Sequence, residues 1–107
     1  MWIASKFGFY SIVCKDDDEF HIRARLRVDL ENLLVATNID EQIHQSDRAD
    51  YRYRLVVSHQ VVRKITTTLA ETLDYPNFKN KIAETPSQEP KLHAYHCIWE
   101  AMYSVQV

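Results

Sequence analysis

Five basic side chains fall at alternate positions in two segments of the chain. His21, Arg23 and Arg25 form one set, and Arg52 and Arg54 form the other. In a strand, every second residue shares a face. Two such strands in one sheet would gather all five groups on a common side. Guanidinium forks hold phosphate or carboxylate through paired hydrogen bonds, so that side would be an anion or ligand site. Tyr10, Tyr51 and Tyr53 would add stacking surface for single-stranded RNA wherever they lay beside it. Tyr51 and Tyr53, however, alternate in phase with Leu55 and Val57, which aims them at the core. The competing reading pairs the arginines with Asp40, Glu41, Asp47 and Asp50, or with carboxylates of a second copy. Opposite charges across strands are the commoner use of such a face.

A second grouping is His93, His96, Cys97 and Glu100, whose spacing places them on one helical face. Imidazole and thiolate bind zinc and related metals. The set lacks both a His-Glu-x-x-His pair and a Cys-x-x-Cys pair, and His21, His44 and His59 are not spaced to complete it. The commoner arrangement is a polar helix face, with His96 paired to Glu100 and Cys97 packed as a small hydrophobe. Cys97 with His93 one turn away also has the form of a thiol–base pair. No third orienting group accompanies it, so no catalytic residue is assigned and no cofactor is implied. Asp16, Asp17 and Asp18 lack the spaced ligands and glycine of a calcium loop. The single glycine, Gly8, cannot build a phosphate cradle. Trp2, Trp99, Tyr95 and Tyr103 read as core aromatics.

The elements that position these groups follow from periodicity. Trp2 to Ser5 and Phe9 to Cys14 are rich in aromatic and β-branched residues and read as strands. Asp16 to Glu19 is a hairpin turn. Phe20 to Arg27 alternates, with Phe20, Ile22, Ala24 and Leu26 facing the core. A short helix follows over Val28 to Val35, with Asp29 and Glu31 in its first turn. Ile39 to His44 and Tyr51 to Val57 read as strands. Ser58 caps a helix over His59 to Leu73, whose apolar positions are Val61, Val62, Ile65, Leu69 and Leu73. Asn77 caps a short helix over Phe78 to Ala83. A last helix runs from Pro90 to Ser104, with Leu92, Tyr95, Trp99 and Met102 as its apolar stripe. Glu84 to Pro90 is a loop. The order predicts a single α+β domain over residues 1–107. Its antiparallel sheet of 4–5 strands is covered on one face by 3–4 helices in a ferredoxin-like core arrangement.

Gly8-Phe9-Tyr10-Ser11, Arg23-Ala24-Arg25, Asp50-Tyr51-Arg52-Tyr53-Arg54, Asp74-Tyr75-Pro76-Asn77-Phe78-Lys79 and His93-Ala94-Tyr95-His96-Cys97-Ile98-Trp99 occur in this order. The pattern spans nearly the whole chain and resembles a group of short bacterial proteins of unknown function. That resemblance implies a free-standing bacterial protein and no catalytic residues.

A chain of 107 residues with 46% hydrophobic and 26% charged residues can bury a core of its own. Its net charge of −2 excludes neither a local anion site nor a basic patch, but it disfavours double-stranded DNA. Residues 1–50 carry 6 Lys/Arg against 10 Asp/Glu, and residues 51–107 carry 7 against 5. Two cysteines, Cys14 and Cys97, are too few for a disulfide scaffold. The first residues do not form a signal sequence, and no apolar run is long enough to span a bilayer. The expected protein is cytoplasmic, with free thiols and no membrane partner. The leading expectation for function is a non-enzymatic binding or assembly module that forms a homodimer. The alternatives are an anion-ligand or single-stranded RNA binding protein and a small metal- or thiol-dependent enzyme.

Overall fold

Apolar residues at every second position favour pairing into strands, and apolar residues at every third or fourth position favour coiling into helices. A computed structural model describes residues 1–107. The strands are β1 (Trp2–Ala4), β2 (Phe9–Asp16), β3 (Glu19–Ala24), β4 (His44–Gln45) and β5 (Tyr53–Val57). The helices are α1 (Arg27–Thr37), α2 (His59–Glu71), α3 (Phe78–Ala83) and α4 (Leu92–Tyr103), with a 3-10 turn at Glu89–Lys91. The strands form one sheet in the order β1-β2-β3-β5-β4, and every neighbouring pair is antiparallel. The protein is α+β, as the periodicity predicts. From β3 through α1, β4 and β5 to α2, the strands lie in the order first, third, second. This is the ferredoxin-like arrangement, with β2 on the free side of β3.

The chain packs as two compact units, residues 1–73 and 74–107, where the sequence predicts one domain. The first unit holds the whole sheet together with α1 and α2. Its core joins Tyr10 and Ile12 of β2, Ile22 and Ala24 of β3, and Leu55 and Val57 of β5. Against them pack Leu30 and Leu33 of α1 and Val62 and Ile65 of α2. Burying each large aliphatic side chain contributes ~1.5–3 kcal/mol before chain entropy is subtracted. These two helices form the helical layer on the sheet. The second unit has a small core of its own, with Phe78 meeting Tyr95 edge-on at 4.8 Å and Ile82 fully buried. Of the stripe predicted on α4, Tyr95 is buried while Trp99 and Met102 are exposed.

Local chemistry fixes the joints. At the β2–β3 hairpin, Asp18 adopts a left-handed φ of 50°, a conformation Asp tolerates. Its Oδ1 accepts from the His59 backbone N–H at 2.8 Å, and Ser58 Oγ accepts from Val61 N–H at 3.3 Å. The hairpin turn and the N-cap together satisfy the first turn of α2. The β1–β2 connection is tied to α1. Asn32 donates to the Phe7 carbonyl at 2.9 Å, and the Phe9 N–H donates to Asp29 Oδ2 at 3.2 Å. A Cβ on Gly8 would lie 2.5 Å from Asp29 Cβ, so this close approach admits only glycine.

Several boundaries differ from those predicted. β3 stops at Ala24, because the chain bends at Arg25 and Leu26 to enter α1. Leu26 is therefore exposed rather than part of the core, and Arg27 lies in a helix. The strand expected over Ile39 to His44 shrinks to His44–Gln45, while Ile39 and Ile43 pack on the core from a loop. β5 starts at Tyr53, which leaves Tyr51 and Arg52 outside it. Cys14 is exposed near the bulged end of β2, and Cys97, expected to pack as a small hydrophobe, is exposed as well. Trp2, expected in the core, is 70% exposed. No helix is long and apolar enough to cross a membrane.

Candidate anion site on the sheet face

Strand pairing decides which of the basic residues meet. Arg23 of β3 is the register partner of Arg54 of β5, and His21 is the partner of Val56. Ser11 of β2 lies opposite Arg23, Trp2 of β1 opposite Ser11, and His44 of β4 opposite Arg54. One row therefore crosses all five strands: Trp2, Ser11, Arg23, Arg54, His44. These residues alternate with the core-facing positions, so the row lies on the sheet face away from α1 and α2.

Within the row, Arg23 Nη2 donates to Ser11 Oγ at 2.7 Å, and its guanidinium lies 4.7 Å from the Tyr51 ring centroid. Its Nε is buried and has no partner. Arg54 Nη1 lies 3.1 Å from His21 Nδ1, and Nη2 donates to the Tyr51 carbonyl at 3.5 Å. An arginine only donates, so His21 Nδ1 accepts. The imidazole proton is thereby placed on Nε2, 3.1 Å from Glu19 Oε2. Neither Arg23 nor Arg54 has a carboxylate among its partners. Like charges directly opposite across strands repel, and guanidinium groups stay protonated. The two register partners therefore carry positive charge on neighbouring strands with no carboxylate in direct contact, and Glu19 reaches Arg54 only through the His21 ring.

The other two predicted arginines do not join it. Arg25, at the bend after β3, pairs with Asp50 Oδ1 at 3.3 Å and covers the Tyr51 ring at 4.2 Å. Arg52 Nε pairs with Asp47 Oδ1 at 3.5 Å. Ion pairing with loop aspartates accounts for these two, while Asp40 and Glu41 pair with none of the five. Tyr51 is buried, yet its ring is flanked by Arg23 and Arg25. Because it precedes β5, it does not follow the alternation that aimed it at the core. Tyr53 does pack on the core, and Tyr10 is fully buried with its hydroxyl donating to the Asp29 carbonyl at 2.6 Å. Neither offers a stacking surface.

Sequence reasoning missed Ser11, Trp2 and His44 as members of this row. The signal for Ser11 is its place as the one polar residue between Tyr10 and Ile12. The signal for Trp2 is its alternation with Ile3, which packs on the core.

The residues of the helical grouping separate into two pairs. Cys97 Sγ lies 3.7 Å from His93 Nε2, and His96 Nε2 lies 3.5 Å from Glu100 Oε1. All four are exposed, and nowhere do three His, Cys, Asp or Glu side chains converge as a metal site requires. Beside them, Lys79, Asn80, Ala83, Leu92, His93 and His96 line most of an open groove of about 590 Å³.

No family model, curated protein or solved structure matches the chain.

Proposed function

We propose that the protein is a non-enzymatic binding module that holds an anionic group on the sheet face, between Arg23 and Arg54. The observation that carries this reading is the opposed pair itself. Arg23 and Arg54 are direct register partners across β3 and β5, and neither contacts a carboxylate, while the flanking Arg25 and Arg52 each have one. A bound anion would offset the repulsion between the two arginines. Ser11 and His21 orient the two arginines, and preorganised donors bind at a lower entropy cost. The exposed free thiols of Cys14 and Cys97 suit a reducing compartment.

Calorimetric titration with inorganic phosphate tests this. The expected result is saturable binding that weakens with salt, is lost in Arg23→Ala and Arg54→Ala, and persists in Arg52→Ala. Binding that ignores Arg23→Ala and Arg54→Ala, or no binding by the unaltered protein, would overturn the reading.

A second reading, homodimer formation, is supported by α4 and the residues after it. Ile98, Trp99, Met102, Tyr103 and Val105 are each between 42% and 67% exposed. Trp99 and Tyr103 stack at 5.2 Å, and aromatic and Met side chains are enriched in interfaces. A contiguous apolar patch of a few hundred Å², roughly what five such side chains offer, marks an interaction surface on a small protein. The occupant proposed is the same patch of a second copy. Sedimentation equilibrium should show a dimer that Met102→Glu converts to monomer, and a monomer at ~100 μM would reject it.

A further inference from the structure

Resting on the anion reading above, we infer that the ligand is a nucleotide carrying a terminal phosphate, with its base stacked on Trp2 and its phosphate on Arg23 and Arg54. The first argument is charge. Neither arginine of the pair is in direct contact with a carboxylate, and the nearest one, Glu19, is separated from Arg54 by the His21 ring. A phosphomonoester carries about −1.5 to −2 at neutral pH, whereas a carboxylate or a phosphodiester carries a single negative charge. A terminal phosphate is the group that matches the pair. Its tetrahedral oxygens also reach donors in more than one direction at once, which suits two arginines rooted opposite each other on adjacent strands.

The second argument is the row. Trp2, Ser11 and Arg23 are successive register partners on β1, β2 and β3. Two inter-strand steps put Trp2 about 10 Å from Arg23 along the sheet, a span that a nucleotide bridges from base to phosphate. Trp2 is 70% exposed, and Phe9 braces it edge-on at 5.9 Å. It is the exposed aromatic side chain of the row, whereas the Tyr51 ring beside Arg23 is buried and already covered by Arg23 and Arg25. A flat ring stacks on any base with little sequence preference. The phosphate could belong to a free mononucleotide or to the 5′ end of a single strand, and the chemistry of recognition is the same.

The test uses the full chain with Trp99→Phe as background, so that Trp2 alone reports by indole fluorescence. The probes are adenosine 5′-monophosphate, adenosine, inorganic phosphate and a short oligoadenylate with or without a 5′-phosphate. The monophosphate is expected to quench Trp2 and to bind about tenfold or more tightly than inorganic phosphate. Trp2→Ala should remove that advantage and leave phosphate binding unchanged, whereas Trp2→Phe should keep part of it. A 5′-phosphorylated strand binding at least as well as the mononucleotide would assign the source to strand ends, and weaker strand binding would assign it to free nucleotides. Both outcomes uphold the inference. Equal affinity for monophosphate and inorganic phosphate, or indifference to Trp2→Ala, would overturn the inference and leave the anion site standing. Failure of every phosphate to bind would remove the anion site as well.

Discussion

Arg54 Nη1 and His21 Nδ1 lie 3.1 Å apart, and the contact orders the whole site. The imidazole must accept at Nδ1 and therefore carries its proton on Nε2, which donates to Glu19 Oε2. Arg54 is thereby held against β3 by His21 instead of ranging through solvent. His21→Phe keeps a planar ring but removes the acceptor. Calorimetry should show phosphate binding several-fold weaker than in the unaltered protein, with the far-UV circular dichroism spectrum unchanged. Full affinity in His21→Phe would mean that the contact does not position Arg54.

The site carries a cost in stability. Arg23 has a buried Nε with no partner and faces a like charge. Arg23→Met keeps the aliphatic stem over the sheet and removes both penalties. In phosphate-free buffer it should stabilise the protein by about 1 kcal/mol, a rise of roughly 4–8 °C in the unfolding midpoint of the first unit. Thermal denaturation checks this, and a fall in midpoint would show that the Ser11 and Tyr51 contacts of Arg23 outweigh its unmet charge.

Gly8 tests the joint between the β1–β2 connection and α1. Gly8→Ala places a methyl group 2.5 Å from Asp29 Cβ and 2.8 Å from the Tyr10 hydroxyl oxygen. Both neighbours are buried, so the backbone must shift. The expected loss is about 1–3 kcal/mol, read from the denaturant midpoint. A change below a few tenths of a kcal/mol would mean that this joint yields freely.

Asp18 serves the hairpin turn and the cap of α2 at once. Asp18→Gly keeps the left-handed backbone and loses the bond to the His59 N–H, and Asp18→Ala loses both. The cap should contribute about 0.5–2 kcal/mol. Asp18→Ala should be the more destabilising of the two by denaturant unfolding, and Asp18→Asn nearly neutral. Equal losses for Gly and Ala would show that the backbone conformation contributes nothing.

In the second unit, burial raises the Tyr75 pKa above 10.0, the Asp74 carboxylate raises it further, and Lys81 partly opposes them. Its neutral form is favoured in the folded state. The associated stability is complete below the ordinary tyrosine pKa and is lost as pH rises through the raised value. Ultraviolet titration, read as the difference between the unaltered protein and Tyr75→Phe, should show Tyr75 ionising late, and Asp74→Asn should lower its pKa without returning it to 10.0, because burial is the larger cause. Full normalisation would make the carboxylate the dominant cause instead.

The alternation of Phe20 to Ala24 and of Tyr53 to Val57 is plain in the sequence, and it placed Arg23 and Arg54 on faces correctly. What alternation cannot supply is register. Only the pairing of β3 with β5 reveals that Arg23 meets Arg54, and only the short extent of both strands reveals that Arg25 and Arg52 lie outside them. Their partners, Asp50 and Asp47, come from the loop before β5, whose path follows from tertiary packing rather than from any local period. Tyr51 is buried, as its alternation predicts, but it lies two residues before β5 and packs against Arg23 and Arg25 because the two-residue period no longer governs direction there. Trp2 was read as core on aromatic composition alone, although its alternation with Ile3 already pointed the other way. The stripe of α4 has helical spacing, but spacing does not say how much of a stripe finds a partner.

The most direct test of the opposed pair is the nuclear magnetic resonance of arginine Nε–H groups during titration with phosphate. The signals of Arg23 and Arg54 should shift together and saturate at one midpoint, with those of Arg25 and Arg52 unmoved. Small, non-saturating shifts of all four in proportion to ionic strength would contradict the account, because they would mean that the anion only screens the face.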